Sequence, residues 1–445
     1  MRDFLLLVII CGSLPVCFFQ PFFGVLMWIW IAYFNPHRFT FDYMYDFPVA
    51  QAIAVPTLAG LIFNRKFNRP LFVRENIWML VLWAWFAIVY INATHVPFFA
   101  GHVDDSKIEL IRISKILLMT FVIMLVTTSE KRLKAVFLVT AFSFGIIALK
   151  SAIFGIFTGV SGRLSGPPDS FISENNAFGL ALNMSIPIFY FLGRVESNRL
   201  LRRALNVGFV SCIICVILTY SRGGFLGLVA ILTLLAMRSR QKVIGITVLA
   251  TIVLLLIAFA PASWVSRMQT LQQDGVDMSA QQRLVSWGTT WNFAMEYPLM
   301  GGSFYTLPDV EIFQKYKTRD LPGGFQSSGP HSIYFQILGD QGFIGFFIYF
   351  GLTAACFFTL SRLRRITLRN PELQWISVYA DILSTSLVAF LVSGAFLGFA
   401  DFDLYFQMVA CVCVLKSLYV HEVSIRNATA QVPEVAFAFS GGEPA

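Results

Sequence analysis

Apolar runs of about 15 to 25 residues, separated by short polar stretches, recur from Phe4 to Val420. Wound as helices, such runs are long enough to cross a hydrocarbon layer about 30 Å thick. A backbone in lipid finds no water to bond, so the runs are expected as helices, which satisfy their own N–H and C=O groups. A membrane barrel would instead show short segments of alternating polarity. The composition agrees: 57% hydrophobic, 16% aromatic and 13% charged residues, with a mean hydropathy of +0.69. The expected fold class is therefore all-α, a polytopic helical membrane protein.

Spans are expected near 4–34, 48–63, 77–92, 108–127, 135–157, 176–192, 204–219, 223–237, 243–260, 333–360, 375–398 and 404–420. The first is too long for one straight crossing at about 1.5 Å per residue, and Pro15 and Pro21 interrupt it. It is either one tilted, broken crossing or a tight hairpin. It runs on into further apolar sequence without a small-residue cleavage site, so it reads as a retained span and not a signal peptide. Counted as one crossing, it gives about twelve transmembrane helices. The chain then divides into a transmembrane region over 1–260, a polar loop over 261–332, a second transmembrane region over 333–422 and a disordered tail over 423–445.

Basic residues near span ends are retained in the cytoplasm. One set of alternate connections carries Arg2, the Arg65 to Arg74 group, Lys131 to Lys134, Arg194 to Arg203, Arg238 to Lys242, Arg362 to Arg369 and Arg426. The opposite set carries about half as many cations, which places it outside. Both termini are then expected in the cytoplasm and the 261–332 loop in the periplasm of an inner membrane. The net charge of +8 is mostly this topology signal, and no basic patch with interleaved aromatics points to nucleic acid. All seven cysteines lie within apolar runs and read as small core residues. Cys212 and Cys215 form a CxxC spacing without a second pair, so neither a metal nor a redox site is expected.

Several cations stand on the wrong side of that pattern. Arg163 lies between two spans, Arg222 in a Thr-Tyr-Ser-Arg-Gly-Gly turn, and Arg283 in the large loop, while Arg112, Lys115 and Lys150 enter spans from the outer face. Charges inside a span are costly and mark function more often than chance. Together they are expected to line one outward depression that receives a polyanion at the membrane surface, such as a lipid-linked diphosphate. Gly223 and Gly224 would let such a ligand approach the backbone. Within the loop, Leu284, Trp287, Trp291 and Ala294 recur at helical spacing, as in a helix lying on the membrane surface with its tryptophans at headgroup depth. Asp309 to Lys317 is expected as a second short helix. The glycines around it and before His331 (Gly301, Gly302, Gly323, Gly324, Gly329) suggest a mobile, tightly turned lid.

Of the five histidines, His331 is distinguished by its place at the end of the loop, after Pro330 and before the next span. An imidazole with an ordinary pKa near 6.5 suits the removal of a proton from a sugar hydroxyl. His37, His95, His102 and His421 have no recognisable partner. There is no metal motif. Asp401 and Asp403, near an outer span end, are the nearest acidic pair and would orient a base or an acceptor, or cap a helix.

These residues resemble a known pattern. Thr219 to Gly224, then Arg283-Leu284 with Trp287, then Pro330 to Tyr334 leading into Gly342-Phe343-Ile344-Gly345 is similar to the signature of the bacterial O-antigen ligase and polymerase superfamily. Gly162-Arg163 with Gly166 and Asn175-Asn176 resembles the superfamily's Arg-Gly-Asn segment. Met1 to Asp3, Trp28 to Trp30 and Asn35 to Arg38 resemble its branch of exosortase-associated O-glycosylation ligases. The resemblance implies a twelve-span fold with a large periplasmic loop, and transfer of a glycan from undecaprenyl diphosphate without metal, nucleotide or other cofactor. Residue by residue it implies Arg222, Arg283 and Arg163 as diphosphate binders and His331 as catalytic base, with Lys115, Lys150, Arg112 and Asp401 as accessory candidates.

The expected function is an inverting glycosyltransferase acting as an O-antigen ligase, with a lipid A-core acceptor and membrane lipids around it. A protein O-oligosaccharyltransferase or an O-antigen polymerase would use the same donor. A flippase for lipid-linked glycans is the alternative from another class; it would place polar and charged residues at mid-membrane and show paired repeats, whereas the misplaced cations here gather at the outer face and the sequence shows no repeat.

Overall fold

The computed structural model describes residues 1–64, 73–158, 163–238, 278–321, 323–327 and 329–430. The expected span 243–260, the start of the large loop at 261–277, the cations at 65–69, 240, 242 and 267, and residues 431–445 of the tail lie outside the described residues. Among the described residues the regular structure is helical throughout, with no strand.

The helices are α1 (Arg2–Phe19), α2 (Pro21–Phe34), α3 (Val49–Asn64), α4 (Arg74–Thr94), α5 (Val103–Val126), α6 (Glu130–Thr158), α7 (Asn175–Val195), α8 (Arg199–Leu218) and α9 (Arg222–Arg238). Then come α10 (Met278–Glu296), α11 (Val310–Tyr316), α12 (Ile333–Thr367), α13 (Gln374–Gly394) and α14 (Asp403–Ala430). Among the described residues, eight helices are long and apolar enough to cross a membrane, and α2 and α3 are shorter apolar helices. The protein is a multi-pass helical bundle. The last helix continues to Ala430, past the expected start of the tail.

The centre is built from α7, α13 and α9, where polar atoms are satisfied between helices as lipid requires. Asn183 of α7 donates to the Gly224 carbonyl at 2.7 Å and to Ser393 Oγ at 3.1 Å. Ser386 of α13 donates back to the Met184 carbonyl at 2.7 Å. A Cβ at Gly227 would meet Ser393 Oγ at 2.0 Å, so only glycine lets α9 lie this close to α13. Lys416, a cation inside a span, is paired with the fully buried Glu75 at 2.9 Å, which Thr359 also bonds.

Residues 4–34 form a hairpin. The Asp3 carboxylate, at the start of α1, accepts from the backbone N–H groups of Asp42 (3.2 Å) and Met44 (3.3 Å), which follow α2. At the other end, Asn64 of α3 bonds the Phe18 carbonyl at 2.7 Å, and a Cβ at Gly60 would stand 2.0 Å from that oxygen. The start of α1 and the end of α2 therefore share one end of the bundle. Met1 therefore lies at the same end of the bundle as residues 42–44 and, through the bond from Tyr45 to Asp169, as the segment before α7, the end that also carries the loop helices α10 and α11.

That loop-bearing end is organised by a break in α12. Gly342 has φ 65° and ψ −174° inside the helix, a region open to glycine alone. The break frees backbone groups, and residues that follow α10 take them up. Phe343 N–H donates to the Pro298 carbonyl at 2.7 Å, Gly302 N–H to Gly339 at 3.1 Å, and Ser303 N–H to Asp340 at 2.8 Å. Trp85 of α4 caps the Gln341 carbonyl at 3.1 Å. Both short loop helices are present, and Asp309 caps α11 by accepting from Glu311 and Ile312 N–H. The face that α10 turns toward the protein is a polar and aromatic one. Val285, Ser286, Thr289, Thr290, Phe293 and Ala294 are buried, whereas Leu284 and Trp291 are exposed. Ser286, Thr289 and Thr290 can turn inward because the two threonines return their hydroxyls to Val285 and Ser286 carbonyls and Ser286 bonds Ser327.

Two outcomes are expected. In sealed vesicles of one orientation, a tag fused at Met1 and a cysteine replacing the exposed Phe41 react with impermeant reagents from the same face; reaction from opposite faces would mean a single broken crossing. In Gly342→Ala the new Cβ falls 2.5 Å from the Leu299 carbonyl in a glycine-only conformation, a strain of about 1–3 kcal/mol before the clash is counted. The loop should detach, seen as faster proteolysis between α10 and α12 at unchanged helix content.

Candidate active site

An open cleft of about 530 Å³ lies at the loop-bearing end, against α5, the segment before α7, the loop residues 304–308, the start of α12 and the 397–401 turn. Its volume is that of a typical small-molecule or glycan site. The ionisable side chains lining it are Glu109, Arg112, Glu174, Tyr305, His331, Asp340 and Asp401. The depression expected to be lined by cations is thus lined mainly by carboxylates.

Arg112 explains part of this. Its guanidinium bonds Glu109, with Nε to Oε2 at 2.9 Å, and also bonds Asp401, while its other face lies 4.3 Å from the Phe171 ring centroid. Gln336 of α12 extends the network, donating to Asp401 at 3.3 Å and accepting from Ala400 N–H at 2.9 Å. Tyr305 donates to Glu109 at 3.3 Å; burial and the Glu109 charge push its phenol up to about 12. Arg112 and Asp401 therefore meet as a neutralised pair, with the spare carboxylate oxygens and the Gln336 amide left as groups that suit sugar hydroxyls.

His331 is half-buried at the rim and has φ 47°, an uncommon conformation for a residue with a Cβ. Its approach is fixed by Trp287 of α10, whose indole N–H donates to the Pro330 carbonyl at 2.7 Å and whose ring stacks on Phe335 at 5.3 Å. Gly398 lies beside it, where a Cβ would stand 3.5 Å from the His331 nitrogen. Burial and the positive charge of Arg283 hold the imidazole below its ordinary 6.5, opposed by the Glu174 carboxylate. The base candidate and Arg283 are therefore close enough to influence each other, and Glu174 faces both cleft and imidazole. Strained backbone concentrates here: among the described residues the non-glycine positions with positive φ are Asn35, Asp169, Tyr220, Ser303, Tyr305 and His331, all at the loop-bearing end.

Arg222 begins α9 behind this rim. Ser221 donates to Asn176 Oδ1 at 2.6 Å, Asn175 donates to the Thr219 carbonyl at 3.0 Å, and Gly224 N–H bonds Ser221 Oγ at 3.0 Å. The Ser-Arg-Gly-Gly turn and the Asn-Asn pair, far apart in sequence, thus hold each other. The two glycines also sit in tight contacts: a Cβ on Gly223 would meet Phe396 at 2.9 Å, and one on Gly224 would meet Ser221 at 3.2 Å. Phe396 in turn lies 6.5 Å from Trp287, which links Arg222 to the His331 side.

The remaining candidates lie elsewhere. Arg163 is exposed on a segment tied to α8 by Leu164 N–H and the Leu218 carbonyl at 3.2 Å. Lys115 is exposed and does not line the cleft. Lys150 lies 4.9 Å from the Phe39 ring in a different cavity. The sequence reading missed Glu109, Glu174, Tyr305, Gln336 and Asp340. A carboxylate inside an apolar run was the available signal for Asp340, and Glu174 directly precedes Asn175-Asn176. His102, read as unpartnered, is a buried strut between the Asp309 carboxylate (3.0 Å) and the Gly302 carbonyl (2.7 Å).

Comparison with known proteins assigns two regions of the chain differently. Residues 207–350, which contain Arg222, Arg283, His331 and the α12 break, match the O-antigen ligase family. Residues 1–196 match a family of unknown function. No curated protein matches the chain. The turn, the loop and the histidine all fall inside the first match, so residues 207–350 carry an O-antigen ligase domain.

Proposed function

We propose that the protein is a glycosyltransferase that moves a glycan from undecaprenyl diphosphate to the lipid A-core oligosaccharide, at the periplasmic face of the inner membrane. The single observation that supports this most is His331 set at the rim of a polar cleft, within the charge field of Arg283, in an O-antigen ligase domain. The neutral imidazole takes the proton of the acceptor hydroxyl. The hydroxyl oxygen then forms its bond to the anomeric carbon while the bond from that carbon to the diphosphate breaks, and the leaving group keeps the electron pair. One such displacement inverts the anomeric centre. Arg222 and Arg283, with Arg163 as a further candidate, stabilise the departing diphosphate, a contribution of several kcal/mol for preorganised cations.

The cleft lining orients the donor. Its carboxylates repel a diphosphate and accept hydrogen bonds from sugar hydroxyls, so the glycan occupies the cleft and the diphosphate lies on the Arg222 and Arg283 side. A protein or growing-polymer acceptor would leave these donor contacts unchanged.

His331→Ala should lower transfer by about 10²- to 10⁴-fold, the usual share of a general base, with donor binding retained; transfer to purified lipid A-core at the native rate would remove His331 from the role. The active imidazole is the neutral form, so the rate falls as pH drops through the His331 pKa. Because burial and Arg283 depress that pKa, the acidic limb should have its midpoint below 6.5. Glu174→Gln removes an opposing charge and should move the midpoint lower still, a shift that loss of structure alone would not produce.

A further inference from the structure

A second cavity, about 330 Å³, opens at the same end of the bundle between α1, α2 and α6, away from the cleft. Its only charged lining groups are Arg2 and Lys150. Arg2 donates to the Phe39 carbonyl at 3.4 Å, and Lys150 stands 4.9 Å from the ring of the same residue, so both cations flank one point. The acidic neighbour, Asp3, has its carboxylate occupied by the Asp42 and Met44 amides. Among the described residues no ion pair involves Arg2 or Lys150.

Apart from Thr40 the rest of the wall is apolar. Leu5, Ile9 and Ile146 are 61%, 41% and 52% exposed, so the cavity is continuous with the outside of the bundle and open to lateral access. Trp30 and Phe34 stack at 5.9 Å along it, and Trp30 is of the amphipathic ring type enriched at headgroup depth. Lys150 sits roughly two turns before the end of α6, level with the start of α1 and the end of α2. A lone span lysine commonly snorkels to the surface; here a second cation meets it over one apolar groove.

We propose that this groove binds an anionic glycerophospholipid of the bilayer, its phosphate between Arg2 and Lys150 and an acyl chain along Leu5, Ile9 and Ile146. Charge complementarity selects the anion, and the sideways opening selects a bilayer lipid over a soluble phosphate. The site is separate from the proposed glycan transfer and does not depend on it.

Native mass spectrometry of the full chain, released from micelles carrying equal amounts of phosphatidylglycerol and phosphatidylcholine, tests this. A retained phosphatidylglycerol adduct is expected. Arg2→Gln and Lys150→Gln should each reduce it about fivefold, the scale of one basic residue acting on an anionic lipid, whereas Lys150→Arg should keep it. Ile146→Trp, which fills the groove with both charges intact, should also lose it. Native elution and melting behaviour identify variants that fold. Equal adducts of the two lipids, an adduct indifferent to all these changes, or displacement of phosphatidylglycerol by undecaprenyl phosphate at equal concentration would each overturn the assignment.

Discussion

The break at Gly342 is the constraint on which the loop-bearing end depends. A helix interrupted within a membrane protein leaves backbone donors and acceptors that lipid cannot satisfy. Here Pro298, Gly302 and Ser303 supply the missing partners, and the segment after α10 is fastened to α12 as firmly as one helix turn to the next. Everything the loop contributes follows from that clasp. With α10 anchored, Trp287 reaches the Pro330 carbonyl; with 303–306 anchored, Thr306 N–H reaches the Asp340 carboxylate at 3.3 Å and Tyr305 reaches Glu109. His331 occupies its strained conformation because both flanks are held, the pattern by which a folded scaffold sustains local strain at a functional position.

The helices were legible in the sequence because their signal is local. Apolar length and flanking charge place α3 at Val49–Asn64 against an expected 48–63, while the last helix runs on to Ala430 past an expected 420. The α1–α2 hairpin was not legible, since the interaction that settles it joins Asp3 to residues about forty positions later. The same holds at the site. The sequence singled out Arg112 and Asp401 as separate candidates, but their mutual pairing, across 289 positions, is what removes Arg112 from the pool of available cations. His331 and Arg283 were found from motif and position; Glu174, which opposes Arg283 at the imidazole, had no signal beyond its place beside Asn175.

Glycines were the least transparent residues, because one residue type serves two physical ends. Gly227 and Gly223 permit close helix contact, with Cβ positions occupied by Ser393 and Phe396. Gly323, Gly324 and Gly329 have open space around them and positive φ of 81°, 67° and 147°, so backbone conformation alone calls for glycine there. Gly301 and Gly342 meet both demands at once. A lid of uniform mobility, as the glycine content suggests, does not fit a segment whose first glycines are locked into the α12 clasp.

Charge then divides the site into two parts. Two like unit charges about 5 Å apart repel by roughly 3 kcal/mol at an effective dielectric near 20, and a diphosphate carries more than one. Inside a cleft with Glu109, Glu174 and Asp401 in its wall, and with the one lining arginine already paired to two of them, a diphosphate would be disfavoured. A neutral sugar loses nothing to that repulsion and gains acceptors for its hydroxyls. The cations that stand apart from this wall, Arg283 and Arg222, are on the His331 side, through the imidazole in one case and the Phe396 and Trp287 contact in the other. Under the proposed function, a donor with a neutral glycan joined to a charged diphosphate would be sorted by the same field, with its anomeric carbon at the boundary where His331 stands.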